Sequence, residues 1–215
     1  MHKVISNSLL IIIGITFLVS CTNSHLKRDS YIYALTPNEL SLLREGDILL
    51  RQGHGMVSRM IVETLREEIP LSHVGLLTID PTDGQFKVIH SVSQSISYFD
   101  GIQIQDLKSF LQDSKPNTLV VVRYRSLEQG GVAPEEVSRS AFQYLEMQVP
   151  FDYDFDFSCS DSFFCTELIT KVMWDVYNDE LFAPDYLNSL TQLDRLRFGM
   201  FFNPERFDII ISHQL

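Results

Sequence analysis

Leu71-Ser72-His73-Val74-Gly75-Leu76-Leu77-Thr78-Ile79, then Asp80-Pro81-Thr82-Asp83-Gly84, then Phe86-Lys87-Val88-Ile89-His90-Ser91-Val92: this stretch decides the fold. Two runs rich in apolar and β-branched residues flank a cluster of turn formers, the pattern of two antiparallel strands and their hairpin. If Asp80 to Asp83 form a four-residue loop, Ile79 pairs with Gly84 and His73 stands opposite His90. Side chains directly opposed in such a ladder have Cβ atoms about 5 Å apart. A slip of two residues keeps both imidazoles on one face, and a slip of one separates them. His73 is therefore a candidate base, and His90 a candidate to hold its ring in the working tautomer. A buried histidine satisfied by backbone is the other reading of His90.

The second informative stretch is Ser162-Phe163-Phe164-Cys165-Thr166-Glu167-Leu168-Ile169. An aromatic pair runs into a helical pattern that extends to Tyr177, and it places Cys165 at the helix start. The positive end of a helix favours a thiolate, and an imidazole on a neighbouring strand can take the proton, which together make a cysteine nucleophile. A buried, inert core cysteine is the alternative.

Around these two stretches the pattern is mixed. Thr36-Pro37-Asn38-Glu39 opens a helix with a capping residue, Pro at the first position and Glu at the third. Ile48-Leu49-Leu50-Arg51 follows Gly46-Asp47 as a strand. Residues 58–68 suit an amphipathic helix. Residues 104–111 read as helix, 118–124 as a central strand, 134–147 as a helix and 207–211 as a closing strand. Strands gathered on one sheet with helices around it make an α+β domain.

The chain opens with Met1-His2-Lys3 and a run from Leu9 to Val19 that is apolar except at Gly14 and Thr16. The run is shorter than the ~18 residues that span a bilayer and reads as a signal-peptide core. Leu18-Val19-Ser20-Cys21 resembles a bacterial lipobox, in which Cys21 becomes the lipidated first residue. The organisation expected is a signal peptide over 1–20, a lipidated N-terminus and tether over 21–35, and one domain over 36–215. An ordinary signal peptide or an uncleaved anchor is the other reading. The destination is then the cell envelope, with the protein held at a membrane by its lipid and facing the periplasm or sitting at the outer membrane of a Gram-negative bacterium.

The 215-residue chain has 17 Lys+Arg and 28 Asp+Glu, a formal charge of −11. That balance argues against nucleic acid as a partner, because there is no excess of cations to displace counterions. It also argues against electrostatic docking to anionic lipid. Asp152-Tyr153-Asp154-Phe155-Asp156 does not make an EF-hand, because Phe157 and Phe163 stand where Gly and Glu are required. His54, His73 and His90 have no metal-ligand spacing, so neither metal nor cofactor is expected. Cys159 and Cys165 could close a small loop, or Cys165 could be free and reactive. Phe198-Gly199-Met200-Phe201-Phe202 reads as core, or as an apolar rim for a lipid-like substrate.

Gly46-Asp47-Ile48-Leu49, Ser72-His73-Val74-Gly75, Val88-Ile89-His90-Ser91 and Phe164-Cys165-Thr166-Glu167-Leu168, in this order, resemble the circularly permuted papain-like hydrolases of the NlpC superfamily, most closely the YiiX/YaeF-type branch. The resemblance covers roughly residues 44–211. It implies a papain-like fold of permuted topology, with an antiparallel sheet against helices and the histidine strand ahead of the cysteine helix. It further implies Cys165 as nucleophile, His73 as base and His90 at the third polar position, where relatives often carry Glu. Phe164 and Thr166 stand where relatives often carry Tyr and Ser. Glu167 matches a family glutamate with a structural or pocket-lining part, and Tyr153 and Phe164 join it as pocket candidates. The function implied is a membrane-anchored cysteine amidase or peptidase acting on a cell-wall peptide, an acylated molecule or another small substrate. A non-catalytic binding lipoprotein that keeps the cleft is the alternative.

Overall fold

The structure, a computed structural model, describes residues 33–125, 132–156 and 161–214. The chain divides into Met1–Tyr31 and Ile32–Leu215, and all described residues lie in the second unit. The expected signal segment 1–20, Cys21, the tether up to residue 32, and Cys159 fall outside the described residues. No helix among the described residues is long and apolar enough to cross a membrane.

Six strands form one antiparallel sheet: β1 (Ile48–Arg51), β2 (His73–Ile79), β3 (Phe86–Val92), β4 (Gly101–Asp106), β5 (Val120–Tyr124) and β6 (Phe207–Ser212). Their spatial order is β4-β3-β2-β1-β5-β6. The helices are α1 (Pro37–Leu42), α2 (Gly55–Leu65), α3 (Leu107–Gln112), α4 (Pro134–Glu146), α5 (Cys165–Tyr177), α6 (Pro184–Ser189) and α7 (Gln192–Leu196). The α+β fold with an antiparallel sheet against helices is the one expected. The capping box of α1 is present, with Thr36 Oγ1 accepting from Glu39 N–H while Glu39 accepts from Thr36 N–H.

Alternation along the strands builds two apolar layers. Ile48, Leu50, Val74, Leu76, Ile89, Val120 and Val122 meet Leu168, Ile169, Val172 and Met173 of α5 and Val137 and Ala141 of α4. Leu49, Leu77, Val88 and Val121 meet Leu107, Phe110 and Leu111 of α3 on the other face. Phe198 and Phe201 are buried in the first layer, so their cluster is core. Asp47, fully buried, accepts from Arg123 Nε at 2.7 Å and Nη2 at 2.9 Å and from Arg44 N–H at 2.8 Å, tying the start of β1 to β5. Removing one partner of such a pair costs about 3–5 kcal/mol.

Three boundaries differ from the sequence expectation. Residues 104–106, read as the start of a helix, are strand: Gly101-Ile102-Gln103-Ile104-Gln105-Asp106 alternates with period two and pairs with β3 from Val92↔Gly101 to Lys87↔Asp106. Helix begins only at Leu107. Helix α2 starts at Gly55 and ends at Leu65, because Arg66 takes a left-handed conformation (φ 50°) and caps it. The hairpin register is shifted by two: Ile79 pairs with Phe86, not Gly84, and Leu76 with Ile89. Asp80 N–H donates to Gln85 C=O and Gly84 N–H to Asp80 C=O, so the loop is two residues longer than expected. His90 thereby faces Gly75 rather than His73.

Gly75 is the consequence. A Cβ there would lie 2.5 Å from Val88 Cγ1, 3.3 Å from His90 Cβ and 3.3 Å from Phe110 Cε2. The bare backbone lets His90 lie beside the strand that carries His73. Gly75→Ala should cost about 1–3 kcal/mol of stability through overpacking. A chemical denaturation series checks this, and an unchanged midpoint would contradict the packing described.

Candidate active site

Four elements bring polar groups to one end of the sheet. Arg51 is the last residue of β1 and pairs with His73, the first of β2. His90 lies near the end of β3, and Cys165 is the first residue of α5, after the cap residue Phe164. His73 Nε2 and His90 Nδ1 are 2.7 Å apart, a hydrogen bond between two buried rings. Both rings and the Arg51 guanidinium gather on Phe110, with centroids at 5.9 and 5.5 Å and Arg51 Cζ at 4.5 Å.

The strands explain how the cysteine reaches this end. Pairing of β2 with β3 runs from Ile79↔Phe86 to Leu76↔Ile89 and does not continue to Val74 and His73, while β3 stays paired with β4 to Val92. The N–H of Val74, which continued pairing would give to β3, faces the Cys165 sulfur instead. Ser91 Oγ donates to Phe163 C=O at 2.5 Å, fastening the approach to α5 onto β3. Ser72 Oγ lies 2.5 Å from Ser58 Oγ and accepts from Gly53 N–H at 2.9 Å, which fixes the residue before His73. Helix α5 and the imidazoles approach from opposite faces of the sheet and meet where the ladder has opened. Among the described residues, no hydrogen bond joins the thiol to His73. Cys165 is a free thiol.

Burial governs the charges. It pushes the Cys165 thiol up to about 11, opposed by the N–H groups of Val74, Thr166 and Cys165 itself and by Arg51. His73 is held well below the ordinary histidine value by burial, then by Arg51 and His90. His90 falls to about 3 for burial and Arg51. At neutral pH the resting site thus holds a thiol, two neutral imidazoles and one guanidinium. Arg51 escaped the sequence reading. The signal available was a charged residue ending an otherwise apolar strand, which by itself reads as a solvated strand end.

The remaining candidates lie elsewhere. Phe164 is buried against Leu187, in an apolar cluster with Phe151 and Met200. Tyr153 is exposed and donates to Asp100 Oδ1 at 2.6 Å, joining two loops. Neither it nor Cys165 lines the cavity of about 270 Å³ that opens beside Arg51, His73 and His90. Asp152 is buried and accepts from Asp154 and Asp156 N–H. Glu167 is fully buried with neither carboxyl oxygen hydrogen-bonded. Burial, then Asp152, raises it to about 8, so it is a neutral acid in the core rather than a pocket residue.

No protein-family model matches the sequence, and no curated protein matches it. Among solved structures, the crystal structure of the metalloprotein YiiX from Escherichia coli O157:H7 (DUF1105) is similar. Its TM-score is 0.58 at 17% identity, over 80% of this chain and 98% of that one. At that identity the likeness establishes a YiiX-like fold. That neighbour is described as a metalloprotein; here no group of three or more His, Cys, Asp or Glu among the described residues is placed to hold a metal ion.

Between its ordinary value of 4.5 and about 8, the folded chain keeps a proton on Glu167 that the unfolded chain has lost. Stability therefore falls as pH rises through that window. Glu167→Gln should remove this loss, gaining on the wild type between about pH 5 and about pH 9 in urea midpoints. Parallel curves for the two proteins would refute the neutral carboxyl.

Proposed function

We propose that the chain is a cysteine hydrolase of the amidase or peptidase type, working by acyl transfer through Cys165 and His73 with His90 as the third member. The observation that carries this reading is the His73 Nε2–His90 Nδ1 bond beside a thiol that faces the backbone N–H of Val74. With Nε2 engaged, Nδ1 is the nitrogen of His73 left to act as base. It takes the thiol proton as the sulfur attacks a substrate carbonyl. The N–H of Cys165, at the helix start and so without an intrahelical acceptor, is suited to the oxyanion. The imidazolium then protonates the leaving group, and water, deprotonated by His73, releases the acyl group from the thioester. Hydrogen bonds of this kind often tighten only when substrate is bound. The candidate substrates are cell-wall peptides and acylated or lipid-like molecules.

A second reading, a binding protein that keeps the cleft without turnover, is favoured by the neutral resting site and by the cavity that Cys165 does not line. Alkylation separates the two. In the hydrolase, iodoacetamide labels Cys165 faster than Cys159 at neutral pH. Its rate climbs into the alkaline range rather than reaching a plateau below pH 7, because the thiolate forms only on demand. Cys165→Ala and His73→Ala abolish hydrolysis while leaving the fold intact. Wild-type turnover in either variant, or equally slow labelling of the two cysteines, refutes the assignment.

The lipid anchor at Cys21 and an envelope location belong to the same proposal and rest on the N-terminal sequence. Cys21→Ser should move the protein from the membrane fraction to the soluble one; unchanged membrane recovery would discard the anchor.

A further inference from the structure

Helix α2 turns most of its apolar side chains away from the core. Only Ser58 and Leu65 of this helix are buried. With 3.6 residues per turn, Met56, Met60, Val57 and Ile61 form one stripe about 140° wide. Val57 and Ile61 line the cavity of about 270 Å³ beside His73 and His90. Met56 and Met60 continue the stripe into solvent, each more than half exposed. The loop from Ser93 to Asp100, between β3 and β4, does the same. Ile96 and Ser97 line that cavity, Ile96 and Phe99 are more than half exposed, and Tyr98 is fully exposed. Both segments therefore border one cavity at one end of the sheet. The loop is held in shape by its own bonds: Ile96 and Ser97 N–H donate to Ser93 C=O, Phe99 N–H to Ser97 Oγ, and Gln103 Nε2 to Phe99 C=O.

Charge and the course of the chain say what covers this surface. Asp100 is the single charged residue of the loop, and it accepts from Tyr153 OH at 2.6 Å and from Gln94 N–H at 3.0 Å. Across residues 55–61 of α2 the single charge is Arg59, which points off the stripe. The chain as a whole carries −11, so it gains nothing from anionic lipid, and apolar contact is the mode left to it. Exposed Tyr and Phe beside an apolar helix stripe suit the headgroup level of a bilayer, where aromatic rings and such helix faces settle. The described residues begin at Tyr33, whose hydroxyl bonds His213. His213 N–H donates to Leu119 C=O at 2.9 Å, and Thr118 Oγ1 accepts from Gln52 N–H at 3.2 Å, next to Arg51. The chain thus enters the domain at the same end of the sheet as the cavity. Cys21 lies twelve residues before Tyr33, a stretch that spans at most about 40 Å. A lipid on Cys21 keeps this end of the sheet within that reach of the bilayer.

We propose that Met56, Val57 and Met60 of α2 and Ile96, Tyr98 and Phe99 of the β3–β4 loop are a docking surface for a lipid bilayer. The choice of occupant rests on the reading of Cys21 as the lipidated residue. The anchor holds the protein at the membrane and the patch sets its orientation. Lipid binding by such a face scales with its apolar area, and two helical turns and a loop are too little to hold the protein unaided. Docked in this way, the end of the sheet that carries His73 and His90 faces the membrane interface.

The test uses the full chain reconstituted in phosphatidylcholine vesicles, with or without bromine on the acyl chains, and reads tryptophan fluorescence. The wild-type chain, with Trp174 as its single tryptophan, sets the baseline. Tyr98→Trp should add an emission that moves to shorter wavelength on the vesicles and is quenched by the brominated lipid. Ile79→Trp, at the opposite end of β2 from His73, should add one that is not quenched. Met60→Asp should lower the quenching in Tyr98→Trp, and molar salt should leave it unchanged, because apolar contact is not screened. Four results overturn the docking surface and leave the anchor standing: equal quenching in Tyr98→Trp and Ile79→Trp, a wavelength shift without quenching, as self-association would give, loss of quenching in salt, or no response to Met60→Asp. A wild-type chain that does not float with the vesicles discards the anchor and the docking together.

Discussion

Pairing between the two histidine strands stops after Leu76↔Ile89, and this interruption organises the functional end of the molecule. A ladder continued as far as Val74 would commit its N–H to β3 and close the space beside His73. Because it stops, β3 follows β4, Ser91 reaches Phe163, and the first turn of α5 meets the sheet from one face while His73 and His90 meet each other on the opposite one. Gly75 belongs to the same constraint, since any side chain there would collide with Val88 and crowd His90. Buried backbone donors need partners, so an opened ladder is tolerated only where something else faces the freed N–H. Here that something is sulfur.

Burial then sets the chemistry. The imidazoles and Arg51, all buried, gather on Phe110, and the cation beside them further disfavours protonation of either ring. Desolvation likewise keeps Cys165, which is half-buried, a thiol at rest. A site of this kind is not a standing ion pair. Proton transfer must accompany attack. Glu167, one turn into the same helix, is neutral for the same reason. The helix start that carries the nucleophile therefore adds no fixed negative charge from that side chain next to the sulfur.

Much of this was legible in the sequence. The cap residues of α1, the runs of β1, β3 and β5 and the start of α5 at Cys165 follow from propensity and period, which are local properties. The hairpin was legible as a hairpin, but its register was not. Asp80-Pro81-Thr82-Asp83-Gly84 announces a turn without counting its residues, and a shift of two leaves the faces unchanged, so His73 and His90 could be placed on one side without being placed opposite each other. Residues 104–106 read as helix because their run into Leu107-Lys108-Ser109-Phe110-Leu111 is helical; the edge position beside β3 made them the end of a strand. The resemblance made Phe164 a pocket candidate and Glu167 structural or pocket-lining; both side chains are buried, Phe164 from the cap of α5 and Glu167 from its first turn.

By itself the sequence determined the α+β class, most of the strands and helices along the chain, and the residue types able to do acyl-transfer chemistry, because these rest on composition, spacing and capping within a few residues. Only the tertiary structure decided that Arg51 joins the imidazoles, that the pairing opens at Val74 for the cysteine helix, and which apolar side chains border the cavity. Those outcomes depend largely on contacts between residues distant in the chain, such as His73 with His90, 17 positions apart, and Ser91 with Phe163, 72 apart, and on the burial that such contacts create. No local pattern encodes either.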